Sequence, residues 1–112
     1  MPSRDWKNRI KDVLTSIAEI REFTTEITFE EFQNDRKTIR AVLYNIAIIG
    51  EAVRNIPSEV EVLHPEIPWI DVRGMRNIVI HEYFQVDLLI IWQTIQEDMI
   101  PLELSLRQLI DS

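Results

Sequence analysis

The chain has 112 residues, which is enough for one modest hydrophobic core and predicts a single domain over residues 1–112. Hydrophobic residues make up 46% of the chain and charged residues 28%, proportions that exclude an intrinsically disordered protein. The formal net charge of −7 argues against broad, nonspecific binding to nucleic acid, which depends on excess lysine and arginine.

Apolar residues recur at helical spacing from the N-terminus onwards. Ser3 is a candidate cap for a first helix, which we expect to end near Thr24 and Thr25. The apolar positions of this helix are Trp6, Ile10, Val13, Leu14 and Ile17. Their spacing predicts an amphipathic helix with one buried face.

A second, longer helix is predicted to begin after Thr28. Glu31 follows Thr28 by three residues, which is the arrangement of a capping box. We expect this helix to run unbroken to Ile56, where Pro57 stops it. Its apolar stripe comprises Phe32, Ile39, Leu43, Ile46, Ile49 and Val53. Such a long apolar face predicts the central helix of a bundle.

Residues 57–68 contain three of the five prolines and are predicted to form an irregular connection, with a short helical turn over Ser58–Leu63. Pro68 suits the first turn of a third helix, which we expect to end near His81 or Tyr83. The residues of this helix predicted to face inward are Trp69, Val72, Met75 and Val79.

Asp87 is a predicted cap for a fourth helix, and Pro101 is expected to kink this helix or divide it from a final one. The apolar positions on either side of Pro101 are Leu88, Ile91, Trp92, Ile95 and Met99, then Leu102, Leu106 and Leu109. With only two glycines and no sustained period-two alternation, the chain shows no strand pattern. The expected fold is therefore all-α, an antiparallel bundle of four to five helices.

Three chemically capable side chains fall within the eight residues from Arg76 to Tyr83. Arg76 can stabilise an anionic phosphate, His81 can move protons near neutral pH, and Tyr83 can donate a hydrogen bond. Together these residue types indicate chemistry on a phosphodiester. In a straight helix, however, residues five apart diverge by about 140° around the axis, so Arg76 and His81 do not converge. Either the helix unwinds at His81, or a two-fold dimer completes the site; the spacing favours the composite site.

The motif and its surroundings resemble a known family over essentially the whole chain. The residues that carry the resemblance are Ile49-Gly50-Glu51-Ala52, Ile56-Pro57, Pro65-Glu66-Ile67-Pro68-Trp69, Gly74-Met75-Arg76-Asn77, His81-Glu82-Tyr83 and Val86-Asp87. They are similar to the HepT-like branch of the HEPN-domain proteins. The R-x4-H-x-Y pattern is the most diagnostic part, and it is matched by Arg76, His81 and Tyr83.

The resemblance implies a dimerising HEPN-like bundle that acts as a metal-independent endoribonuclease, the toxin of a toxin–antitoxin pair. His81 would then be the general acid or base, and Arg76 would stabilise charge on the phosphorane. Asn77 would orient His81 or a phosphate, and Tyr83 would contact the substrate or position His81. Arg73 and Glu51 would support the site. The implied antitoxin is a minimal nucleotidyltransferase that transfers AMP to Tyr83, and this bulky, anionic adduct would block the RNA site.

Each site residue also has a structural interpretation. His81 can cap a helix C-terminus, and Tyr83 can be a core residue with a wet hydroxyl. Arg76 can pair with Glu51 or Glu82. Glu51 is either a buried partner of Arg76 or Arg73, which we favour, or an exposed charge. His64 is expected at the surface, whereas Trp69 and Trp92 fit a core or dimer contact better than base stacking.

The pattern indicates no cofactor, because His64 and His81 lie seventeen residues apart without metal-ligand spacing and there is no cysteine. The start of the chain lacks the apolar core of a signal peptide, and no uncharged run approaches the roughly 20 residues that span a bilayer, so we expect a cytoplasmic protein. A non-catalytic alternative stays open: a helical dimerisation module that binds a nucleotide or a nucleotidyltransferase partner without cutting RNA. The acidic net charge favours this alternative.

Overall fold

The computed structural model describes residues 2–81 and 87–111, with the side chains of residues 5–77 and 87–111. In these residues the chain forms seven helices and no strand, so the predicted all-α fold is confirmed. The two short helices, α2 and α4, connect longer ones. The helices are α1 (Pro2–Thr24), α2 (Phe29–Gln33), α3 (Arg36–Arg54), α4 (Ser58–Leu63), α5 (Trp69–His81), α6 (Leu88–Glu97) and α7 (Met99–Asp111).

The first helix begins two residues earlier than predicted, since a cap at Ser3 would make Arg4 its first residue. Because α1 starts at Pro2, Ser3 lies within its first turn, and the prediction of Ser3 as the cap is wrong. Proline is favoured in a first helical turn, where its missing N–H is not needed. The helix ends at Thr24 as expected, and the hydroxyl of Thr24 donates to the carbonyl of Ile20 at 2.8 Å.

The predicted long second helix is divided into α2 and α3. The capping box at its start is confirmed, since the Glu31 amide donates to the Thr28 hydroxyl and the Thr28 amide to the Glu31 carboxylate. The chain then breaks, and Asp35 caps α3 by accepting from the amide of Thr38 at 3.1 Å and from its hydroxyl at 2.6 Å. These contacts lower the pKa of Asp35 from its ordinary value of 3.8. The hydrogen bond from the Thr38 hydroxyl is the largest cause, followed by the hydrogen bond from the Thr38 amide. An unbroken helix was therefore the wrong prediction.

Asp87 and Asp98 mark the ends of α6. Asp87 accepts from the amides of Leu89 and Ile90, so the predicted cap is confirmed. The break after α6 falls at Asp98 and not at Pro101, which instead lies in the first turn of α7. A proline is tolerated there because the N–H that it lacks has no partner within the helix.

The long helix α3 lies at the centre of the fold, packed against α1 on one side and α5 on another. Helix α7 packs against α1 and α6, while α2 contacts both α3 and α6. The buried side chains of these helices form one continuous hydrophobic core. This packing presents the C-terminal half of α3 to α5, the helix that begins the Arg76 motif. No helix in the described ranges is long and apolar enough to cross a membrane.

Candidate active site

Helices α3 and α5 approach each other closely where Gly50 faces Arg76. A Cβ atom added at Gly50 would lie 2.7 Å from the Cβ of Arg76 and 2.9 Å from its backbone nitrogen. Real Cβ atoms essentially never come this close, and one of the two neighbouring atoms is backbone, which cannot move aside alone. Glycine at position 50 therefore sets the distance between the two helices and positions Arg76.

Glu51 holds the side chain of Arg76 across the same crossing. Its Oε2 atom lies 2.7 Å from Nε of Arg76, while the side chains remain 50% and 34% exposed, respectively. The predicted pairing of Glu51 with Arg76 is confirmed, but the predicted burial of Glu51 is wrong because α3 presents this residue at the surface. Because the contact uses Nε, the two terminal nitrogens of the guanidinium stay available for another acceptor as far as the described residues are concerned.

Arg73, one turn earlier on α5, has a different partner. Its Nη1 atom forms an ion pair with Glu61 of α4, whose side chain is largely buried. Arg73, which was one of the two partners considered for Glu51, thus does not pair with it. The short helix α4 fixes Arg73 in the same way that α3 fixes Arg76.

The two helices enclose an open groove of about 540 Å³ beside these arginines. We call it the arginine groove, and its lining residues are Gly50, Arg54, Ile70, Arg73, Gly74, Arg76 and Asn77. Asn77 is exposed, and the structure thus brings three of the predicted site residues, Arg73, Arg76 and Asn77, to one surface. Sequence reasoning missed Arg54, since its only local feature is a position in the last turn of α3, where basic residues are commonly found.

The remaining motif residues fall partly or wholly outside the described part of the chain. His81 is the last residue of α5, and its side chain is not among those described. Tyr83 lies outside the described residues altogether. Since α5 is helical from Trp69 to His81, Arg76 and His81 stand in one helix, which is the case in which their spacing favours a composite site.

Three residues outside the motif that the sequence also brought into consideration, Trp69, His64 and Trp92, have contacts that contribute to the fold. Trp69 is buried and its indole N–H donates to the carbonyl of His64 at 2.9 Å. The His64 side chain is partly exposed, with Nδ1 3.5 Å from a carboxylate oxygen of Glu66. Trp92 packs on Phe32, with ring centroids 5.2 Å apart. In the described part of the chain, no group of three or more histidine, cysteine, aspartate or glutamate side chains is arranged to hold a metal ion.

Comparison with known proteins identifies relatives of the whole bundle. The model of the family described as "Ribonuclease HepT-like" matches residues 13–109. A protein of Thermococcus cleftensis named a probable ribonuclease HepT is 47% identical over 86% of this chain and 87% of its own length. A candidate RNase of Methanocaldococcus jannaschii is 38% identical over 88% and 91%, respectively.

A candidate RNase of Caldanaerobacter subterraneus is 42% identical to this chain, over 75% of each protein. No solved structure matches the chain. The residues that the family model matches, 13–109, include α3, α5 and all the residues that line the arginine groove.

Proposed function

Because the chain belongs to the ribonuclease HepT-like family, we propose that it is an endoribonuclease that cleaves RNA without a metal ion. The observation that carries the proposal is the position of the motif arginine, Arg76, at the edge of a groove lined by two further arginines. RNA contains its own nucleophile in the 2′-hydroxyl, so cleavage requires only a proton acceptor and stabilisation of the charge on phosphorus.

Arg76 is the proposed stabiliser of the phosphorane. Glu51 holds its Nε, and the guanidinium is left with terminal N–H groups that suit bidentate contact with phosphate oxygens. Orientation by Glu51 reduces the entropy lost when the transition state forms. His81 is the proposed general acid or base, since the ordinary pKa of histidine lies near neutral pH.

Three further residues are proposed to support substrate binding. Asn77 and Arg73 line the arginine groove with Arg76, and an amide and a guanidinium can each donate to phosphate oxygens. Tyr83 is proposed to contact the substrate or to position His81. The acidic net charge of −7 fits a nuclease that binds RNA through few, well-placed cations and not through a basic surface.

The proposed active form is a homodimer. Arg76 and His81 lie on the same helix but at positions on different sides of it, because they are five residues apart. In a two-fold dimer, the arginine of one subunit and the histidine of the other can act on the same phosphate. The exposed apolar side chain of Ile70, at 77% of its surface, adjoins the arginine groove and offers area for such a contact.

The proposed biological role is that of a toxin neutralised by a minimal nucleotidyltransferase. The support is the match of Arg76, His81 and Tyr83 to the family pattern. Transfer of AMP from ATP to the hydroxyl of Tyr83, with release of pyrophosphate, would add bulk and negative charge six residues beyond the groove residue Asn77 and seven beyond Arg76. Both effects oppose an incoming phosphate. Mass spectrometry of protein co-expressed with the product of the neighbouring gene is expected to find AMP on Tyr83. Full neutralisation with unmodified Tyr83 would overturn this mechanism.

The test of ribonuclease activity is incubation of purified protein with tRNA and total RNA in EDTA. Cleavage by the wild type, and its loss in Arg76→Ala and His81→Ala, is the expected result. Intact RNA with all three proteins at high concentration would favour the second candidate, a non-catalytic module that binds a nucleotidyltransferase. The specific observation in favour of that candidate is that Arg73 and Arg76 are both already paired with carboxylates.

A further inference from the structure

We infer that the arginine groove binds a second phosphate of the RNA strand, adjacent to the one proposed at Arg76. Arg54 and Arg73 would bind this phosphate, and Gly74 would form part of the groove wall beside it. The inference rests on the proposed ribonuclease function and adds a substrate contact outside the R-x4-H-x-Y motif. Three observations support it: the charge balance of the groove, the unused donors of Arg73, and the open space at Gly74.

The charge balance singles out Arg54. Of the three arginines in the groove, Arg73 is paired with Glu61 and Arg76 with Glu51, whereas Arg54 has no carboxylate partner among the described residues. The groove therefore carries an uncompensated positive charge in a chain whose net charge is −7. An exposed, unpaired guanidinium beside two fixed ones attracts an anion, and a phosphate is the anion that the proposed substrate presents on every nucleotide.

Arg73 also keeps hydrogen-bond donors that suit the second phosphate. Glu61 contacts it through Nη1, and the remaining guanidinium nitrogens have no other partner in the described part of the chain. About a third of the side chain is exposed, and it lines the groove together with Arg54. Glu61 thus restricts the motion of Arg73 without occupying its whole hydrogen-bonding edge, which preorganises the guanidinium for an oxyanion.

Gly74 has no packing reason to be glycine. A Cβ atom added at this position meets no atom of the described residues within 4 Å, in contrast to Gly50, where it would collide with Arg76. Glycine destabilises a helix interior relative to alanine, so its presence between Arg73 and Arg76 needs another explanation. A glycine lets a ligand approach the helix backbone closely, and Gly74 lies in the groove wall between the two proposed phosphates.

The inference is tested by binding of a labelled, single-stranded 2′-O-methyl RNA of about 12 nucleotides, followed by fluorescence anisotropy. This probe lacks the free 2′-hydroxyl and is not cleaved. Arg54→Ala is expected to weaken binding about 10-fold and to reduce the slope of log K against log salt by about 0.7. Arg54→Lys is expected to restore the slope but only part of the affinity.

Variants at position 74 test the groove wall without removing a charge. Gly74→Leu is expected to weaken binding of the same probe about 10-fold by filling the groove, and Gly74→Ala, which adds a single methyl group, should weaken it by a smaller factor. Thermal unfolding of both variants shows whether the fold is kept. Arg107→Ala is the charge-matched control, because Arg107 is exposed on α7 and pairs with Glu103 outside the groove. Its affinity for the probe should be unchanged.

A parallel cleavage assay on the matching unmodified RNA separates the two proposals. If the wild type cuts RNA while Arg54→Ala and folded Gly74→Leu bind the probe normally, the second phosphate site is wrong and the ribonuclease proposal stands. If the wild type binds the probe through Arg54 but cuts nothing, the site stands and the ribonuclease proposal fails. If the wild type neither binds nor cuts RNA, both are overturned, and the groove is then better explained as a surface for a protein partner.

Discussion

Oε2 of Glu51 lies 2.7 Å from Nε of Arg76 and joins α3 to α5 beside the close contact between Gly50 and Arg76. Half of the Glu51 side chain is exposed, and surface ion pairs of this kind contribute little to folding stability, typically under about 1 kcal/mol. The pair is therefore better understood as a positioning contact, which fixes the direction of the guanidinium and leaves its outer edge open.

Removal of this contact should affect catalysis more than stability. Glu51→Ala is expected to lower kcat for RNA cleavage roughly 10-fold, because Arg76 then samples several orientations. Glu51→Gln keeps an acceptor for Nε and should lose less activity. The midpoints of thermal unfolding should lie close to that of the wild type for both variants. A large loss of stability without a change in kcat would contradict the positioning role.

Substitutions at the two glycines should have opposite effects. Gly50→Ala forces α3 away from Arg76, and overpacking of this kind costs about 1–3 kcal/mol. Gly74→Ala meets no neighbour and should stabilise α5 by up to about 1 kcal/mol. Denaturant unfolding measures both changes, and cleavage should fall further in Gly50→Ala than in Gly74→Ala. Equal stability of the two variants would mean that the helix contact relaxes freely.

The composite-site proposal can be tested by mixing inactive subunits. Arg76→Ala and His81→Ala proteins are each expected to be inactive, but a mixed dimer retains one site with an intact arginine from one subunit and an intact histidine from the other. Unfolding and refolding the two together should restore about a quarter of wild-type activity, since about half the dimers are mixed and each has one working site. Mixtures without activity, or a monomer in light scattering, would argue for a site within one subunit.

Acid should weaken the cap of α3. The pKa of Asp35 is lowered in the folded chain, first by the hydroxyl and then by the amide of Thr38, so the carboxylate stabilises the fold above its unfolded value of 3.8. This contribution is lost as the pH falls through the lowered folded pKa. Urea unfolding of wild type and Asp35→Asn is expected to differ most near pH 7 and to converge towards about pH 3. A constant difference would exclude titration of Asp35 as the cause.

The sequence was sufficient for the elements with local signals. The capping box of Thr28 and Glu31 and the cap at Asp87 both depend on residues within one helical turn, and both were predicted. The break at Asp35 was missed because the apolar residues on either side keep the same helical phase, which hides a short interruption. The break between the last two helices was predicted at Pro101 because proline interrupts a helix interior. It lies at Asp98 instead, since proline is compatible with the first turn of a helix.

The candidate site was only partly accessible from the sequence. The pairing of Arg76 with Glu51 was among the alternatives because both charges occur on helices expected to pack together. Arg54 and the partnership of Arg73 with Glu61 were not, since they depend on how α4 and the end of α3 meet α5. Such relationships between distant segments leave no mark in local spacing.

The contact between Gly50 and Arg76 also limits how this protein can change during evolution. A side chain at position 50 would collide with the backbone of residue 76 as well as with its Cβ, so replacing the arginine alone does not make room. A substitution at position 50 is therefore accepted only together with changes that shift α5 as a whole. We expect the glycine to be lost in relatives only where the arginine proposed to be catalytic is also dispensable, which would make position 50 a marker of inactive homologues.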